Sequence, residues 1–203
     1  MCYRCFKASA TCICAWVPQV DNETAITILQ HPRERHHAIG TARFALLGLR
    51  RVQLVVQGPK AGPSPIIEAL PADTALLFPD PSGVAREPPV RPRHLLVLDG
   101  TWAHAQKLFL AHPSLASMPR IGLAGSQPSR YRIRREPDAH CLSTIEAICA
   151  ALSAIEPHTT GLDALLEAFE QMVSVQEGYA RGSIPLQSRA AAPGLAPETG
   201  RSK

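Results

Sequence analysis

In "HLLVLDGTW", residues 94–102, an apolar run ends on an aspartate, a glycine, a threonine and a tryptophan. An unbroken apolar run bounded by turn residues reads as a strand buried on both faces, the habit of parallel sheets. Three further stretches read the same way: "TAITILQ" (24–30), "VQLVVQ" (52–57) and "TALLF" (74–78). "RIGL" (120–123) supplies a fifth, shorter strand. Helical stretches lie between and after them: "TARFALLGLRR" (41–51), "TWAHAQKLFLAH" (101–112), "LSTIEAICAALSAI" (142–155) and "GLDALLEAFEQMVSVQEGY" (161–179). In the second of these, Trp102, Ala105 and Phe109 share a helical face. Strands alternating with helices predict an α/β domain, a mostly parallel sheet flanked by helices. Ligands of such sheets gather at the carboxyl ends of strands, and Asp99 stands at one.

The 203 residues fit one domain, expected over 1–183, with a cysteine-rich start (1–16) and an α/β body (24–180). The remainder, 184–203, is rich in Ala, Pro and Gly without periodicity and is expected to be disordered. Apolar residues make up 45% of the chain, yet no uncharged run approaches the ~20 residues of a membrane span. Nor does the start resemble a secretory signal, so a cytoplasmic protein is expected. The net charge of +4 is a mild bias towards anionic partners. Arginine far outnumbers lysine, and its planar fork of donors suits phosphate and stacks on bases.

Five constellations bear chemistry. Asp99 projects a carboxylate from a strand end, with Gly100 permitting the turn; equally, Asp99 or Thr101 caps the helix that follows. In "CLSTIEA" (141–147), Ser143 and Glu146 have the spacing of a capping box, and Leu142, Ile145, Cys149 and Leu152 form an inward stripe. That helix start also presents backbone N–H groups to an anionic ligand. In "SRYRIRREP" (129–137), an extended backbone puts Arg130, Arg132 and Arg134 on one face, suited to a phosphate backbone or to solvent. Cys2, Cys5, Cys12 and Cys14 are spaced to close a tetrahedral zinc site, or remain unpaired thiols. "HPRERHH" (31–37) fits no helical metal-ligand pair and reads either as a loop facing the cleft, with His31 or Arg35 as an RNA contact, or equally as a purely structural loop. No P-loop and no G-x-G-x-x-G occurs.

Taken in order, the cysteine cluster, "HPRE", "LDGTW", and "SRYRIRREP" leading into "LSTIEA" resemble the DTW-domain family, the tRNA-uridine aminocarboxypropyltransferases. The resemblance runs from Cys2 to about Tyr179, with Asp99, Thr101 and Trp102 matching the name-giving D-x-T-W. It implies a SPOUT-like α/β fold with a C-terminal trefoil knot. It also implies transfer of the 3-amino-3-carboxypropyl group of S-adenosylmethionine to N3 of a tRNA uridine, releasing 5′-methylthioadenosine.

Under it, Asp99 is the catalytic residue, activating N3 or orienting the substrate. Phe78, Leu98 and Leu123 at strand ends, with Gly100, Thr101, Leu142, Ser143 and Thr144, hold the cofactor, and Trp102 packs beneath the pocket. His31, Arg35, Arg130, Arg132 and the zinc knuckle hold the tRNA. The alternatives are a SPOUT-like RNA methyltransferase and a non-enzymatic zinc-knuckle RNA-binding protein.

Overall fold

The structure, a computed structural model, describes residues 1–35, 40–58, 64–79, 91–123 and 142–181. The strands are β1 (Ala25–Gln30), β2 (Val52–Val56), β3 (Thr74–Leu77), β4 (His94–Asp99) and β5 (Arg120–Ile121). The helices are α1 (Thr41–Gly48), α2 (Pro65–Glu68), α3 (Trp102–Ala111), α4 (Thr144–Ile155) and α5 (Leu162–Ala180). All five strands and all four helices expected from the sequence are present. The fifth strand is shorter than "RIGL", and α2, a single turn begun by Pro65, was not expected. The arginine-rich segment 129–137 and the 184–203 tail lie outside the described residues. So does 124–141, the stretch between β5 and α4, within the C-terminal part where the knot is expected.

Strand order is β2-β1-β4-β3-β5, and every pairing is parallel. β4 is buried at all six positions, which explains its unbroken apolar run. Side chains alternate across the sheet. Ile26, Ile28, Leu95 and Val97 face a core built with Phe44 of α1, Ile148 of α4 and Phe169 of α5. Leu29, Leu76, Leu96 and Leu98 face the other way, against Ile67 of α2 and Ala105 and Leu108 of α3. The inward stripe of α3 therefore runs through Ala105 and Leu108, while Trp102, expected to pack inward, is 42% exposed. On α4 the expected stripe is in place, with Ile145, Cys149 and Leu152 buried. Among the described residues no helix is long and apolar enough to cross a membrane.

The strand order creates one special gap. From β1 the chain leaves through α1 to β2; from the adjacent β4 it leaves through α3 to β5, towards the opposite edge. Neighbouring parallel strands whose connections depart in opposite directions open a crevice at their carboxyl ends. β1 ends there on Gln30 and β4 on Asp99, and these two residues are register partners.

Nearer the other end of the strands, a polar chain crosses the sheet. Gln53 Nε2 donates to Thr27 Oγ1 at 2.8 Å, and Thr27 Oγ1 meets His94 Nε2 at 2.8 Å. With its oxygen accepting from Gln53, the threonine hydroxyl donates to a neutral His94 ring. Burial pushes the His94 pKa below its ordinary 6.5. The folded state then holds this proton less tightly than the unfolded chain does. Its stabilising effect is full above about pH 6.5 and is lost as the pH falls from there towards the lowered value. Burial lowers His112 in the same sense. The thermal unfolding midpoint should fall between pH 7.5 and 5.5, and His94→Gln should flatten that fall; a midpoint rising on acidification would contradict the network.

Candidate active site

Asp99 is 6% exposed, and both carboxylate oxygens have partners. Gln30 Nε2 donates to Oδ2 at 2.9 Å, and Thr144 Oγ1, at the first position of α4, donates to Oδ1 at 2.5 Å. Donors from two different elements fix the plane of the carboxylate. The capping alternative goes to its neighbour: Thr101 is the N-cap of α3, its side chain accepting from His104 N at 3.2 Å. Asp99 is thus a buried acid at the crevice, and Thr101 takes the N-cap of α3.

Thr144 is placed by its own cap. Glu146 Oε2 accepts from the Ser143 N–H at 2.8 Å and from the Ser143 hydroxyl at 2.6 Å, the glutamate half of the capping box. Ser143 and Glu146 are both buried, so the start of α4 is anchored where it meets β4.

Behind the Gln30–Asp99 pair, on the α3 side, sits a cluster that sequence reading only half found. His31 follows β1, and its N–H bonds the Asp99 carbonyl at 2.9 Å. Its ring stacks on that of His104 with centroids 4.0 Å apart and planes 4° apart. His104 Nδ1 donates to Glu34 Oε1 at 3.0 Å, and Glu34 is buried in the 3-10 turn Pro32–Glu34. Burial, then the neighbouring His104, pushes the His31 pKa down. Gly100 makes the stack possible. Its φ is not positive, contrary to the turn expected of it; what it supplies is space, since a Cβ there would lie 2.7 Å from His104 Cβ and 3.5 Å from His31 Cβ. Gly100→Ala should therefore displace the first turn of α3 and cost about 1–3 kcal/mol of stability. Denaturant unfolding checks this, and an unchanged midpoint would show that the turn yields freely.

The expected cofactor residues divide between the faces of the sheet. Leu123, Leu142, Ser143 and Thr144 lie on the α4 side with Asp99. Leu98, the strand neighbour of Asp99, points the other way, as does Phe78, whose ring stacks on Phe109 at 5.2 Å and tilts against Trp102 at 6.2 Å. Arg35 is exposed at the end of the Pro32–Glu34 turn. Arg130 and Arg132 lie outside the described residues. Gln30 and His104 were missed. For Gln30 the available signal was a second apolar strand ending, like β4, on a polar side chain; for His104 there was none, because its partners are remote in sequence.

The cysteines converge. Cys2 and Cys14 Sγ are 3.8 Å apart, Cys5 and Cys12 Sγ are 3.8 Å apart, and all four sulfurs lie within 4.8 Å of one another. A tetrahedron with zinc–sulfur bonds of about 2.3 Å has edges of about 3.8 Å, so four soft donors here fit that ion. Backbone N–H groups of Cys5 and Arg4 lower the Cys2 thiol to about 6, whereas burial and the other sulfurs push Cys14 up. The knuckle is seated on the domain: Cys5 and Ile13 belong to the same core as Phe44 and Phe169. Its turn is closed by Phe6 N–H to the Cys2 carbonyl at 2.8 Å and Cys2 N–H to the Lys7 carbonyl at 2.7 Å. This closure holds Phe6 at φ +57°, a left-handed conformation costing a side-chain-bearing residue about 1–2 kcal/mol.

The chain is similar to tRNA-uridine aminocarboxypropyltransferase 2 of Macaca fascicularis, 26% identical over 187 residues, covering 86% of this chain and 63% of the relative. The Drosophila melanogaster protein of that name is 30% identical over 168 residues, covering 76% of this chain and 66% of its own length. tRNA-uridine aminocarboxypropyltransferase A of Arabidopsis thaliana is 26% identical over 224 residues, with 91% and 84% covered. The chain thus spans less than two thirds of the macaque and fly relatives. No solved structure matches it significantly. Residues 1–177 match the DTW domain, a span that takes in the cysteine knuckle, the "HPRE" turn, the Asp99 strand end and the α4 cap, and the chain belongs to the DTW-domain family.

Proposed function

We propose that this protein transfers the 3-amino-3-carboxypropyl group of S-adenosylmethionine to N3 of a tRNA uridine. The observation that carries the reading is the buried Asp99 carboxylate at the β1–β4 crevice, held by Gln30 and by Thr144 at the start of α4. The relatives' names supply the transferred group and its acceptor, a tRNA uridine, and the family resemblance supplies the donor and the N3 position. When bound, the donor supplies a sulfonium flanked by electrophilic carbons. The bond that forms joins N3 to the chain carbon next to sulfur. The bond that breaks is that carbon–sulfur bond, whose electron pair stays on sulfur and leaves 5′-methylthioadenosine.

The protein's part is positional and electrostatic. N3–H of uridine is a weak acid, and its proton must leave as the new bond forms. Two donors fix the orientation of the Asp99 carboxyl group at the crevice. Within hydrogen-bond reach it receives the N3 proton and fixes the plane of the uracil. The anchored start of α4 offers the backbone N–H groups of Leu142 and Thr144 to the donor's carboxylate, that of Ser143 being held by Glu146. Which carbon reacts is then a matter of which one faces the uridine.

The four-cysteine knuckle holds structural zinc in this reading, with all four ligand positions taken by sulfur and no place for a reacting water. Arg35 and the 129–137 arginines contact the tRNA backbone. Cysteines gathered as metal ligands, rather than paired as disulfides, suit a reducing compartment such as the cytoplasm.

Mass spectrometry of tRNA from cells with and without the protein tests the reading. Nucleosides bearing the aminocarboxypropyl group should vanish without it. A methyl-sized difference would favour the methyltransferase, and no difference the pure RNA binder.

A further inference from the structure

Phe6 is the single non-glycine residue with positive φ among the described residues, yet it carries one of the bulkiest side chains there. Glycine occupies such a backbone without strain, and asparagine with little. The strained position holds a ring that is 48% exposed, so the side chain is not kept for packing in the core. The Arg43 guanidinium lies over this ring, 4.1 Å from its centroid. One face of the ring is thereby covered by a cation, leaving the exposure to the rest of it. Arg35, at the end of the turn that follows β1, is exposed as well. Tyr3, on the same knuckle, is 88% exposed. Phe6 and Arg43 thus present an aromatic ring and a cation together on the knuckle side of the domain.

We propose that Phe6, backed by Arg43, is a stacking platform for an unpaired base of the tRNA. An aromatic ring accepts any base by its π face, and arginine adds cation–π attraction and compensates phosphate charge. A polyanion suits the two arginines, whereas an apolar protein partner would have to desolvate them. The backbone strain is then the cost of aiming an aromatic side chain outward from a turn that metal binding fixes. The inference rests on the tRNA reading of the preceding section and adds to it a contact outside the reacting crevice.

Binding of a fluorescent, unmodified tRNA transcript to the zinc-loaded full chain tests it. Phe6→Gly and Phe6→Asn suit the backbone better than phenylalanine, so zinc content and thermal midpoint should be kept or improved. Their Kd for tRNA should rise by about five- to 150-fold, the worth of one stacked base. Phe6→Trp should bind about as tightly as the unaltered protein. A Kd for Phe6→Gly within about twofold of the unaltered protein overturns the platform, as does an unaltered protein that binds no tRNA. Label transfer by the unaltered protein is scored separately. Transfer with a Phe6-indifferent Kd sinks the platform alone, and a Phe6-dependent Kd without transfer sinks the transferase reading alone.

Discussion

An Asp99→Asn variant should fold as the unaltered protein does and lose aminocarboxypropyl transfer by about 100- to 10,000-fold. The fold survives because the site can re-pair. Thr144 can donate to the new amide oxygen, and the Gln30 amide can turn over to offer its oxygen where it now donates to Oδ2. The chemistry does not survive, because an amide neither carries charge nor accepts a proton. Single-turnover rates at saturating tRNA and donor, with the thermal midpoint alongside, check both halves of this expectation. Asp99→Ala should be as inactive but also destabilised, since it strands two buried donors. Thr144→Val removes one donor and keeps the acid, so its loss of rate should be smaller. An Asp99→Asn protein of normal rate would show that the carboxylate serves structure alone.

Removing metal from the knuckle should have the second large effect, on stability. The unaltered protein is expected to carry one zinc per chain. Structural zinc sites contribute folding free energy directly, with apparent binding energies of about 10–16 kcal/mol in zinc-finger peptides. Here the knuckle is continuous with the core, so freeing it uncovers apolar surface around Phe44 and Phe169. A strong chelator, or Cys5→Ser, should lower the thermal midpoint by about 10 °C or more, the shift expected for a few kcal/mol in a chain of this size. Cys149→Ser, a thiol buried on α4 and pushed up to about 12 by its burial, should leave zinc content unchanged. Full stability with no bound metal would refute the zinc assignment.

Much of this could be read from the sequence. Buried parallel strands are apolar throughout, so "HLLVLD" and its fellows announced themselves, and an aspartate ending such a run stands out. The cysteine spacing was equally plain. What escaped was whatever depended on elements meeting across the chain. That β1 lies beside β4, bringing Gln30 opposite Asp99, follows from strand order, which local patterns do not encode. Whether Asp99 or Thr101 caps α3 turned on backbone geometry that both residue types satisfy. Gly100 looked like a turn residue and is a spacer, because its reason lies in His104 one helical turn later. Trp102 looked like core by periodicity, yet the inward stripe of α3 is shifted so that Leu108 takes that place. The left-handed backbone of Phe6 had no signal at all, since glycine is the residue that would have marked it.

The most direct measurement uses a donor carrying one isotope in the aminocarboxypropyl chain and another in the methyl group, incubated with the protein and unmodified tRNA. Chain label should enter the RNA at a uridine, while methyl label stays in released 5′-methylthioadenosine in equal amount. Methyl label in the RNA, or neither label there despite tight tRNA binding, would contradict the reaction placed at Asp99.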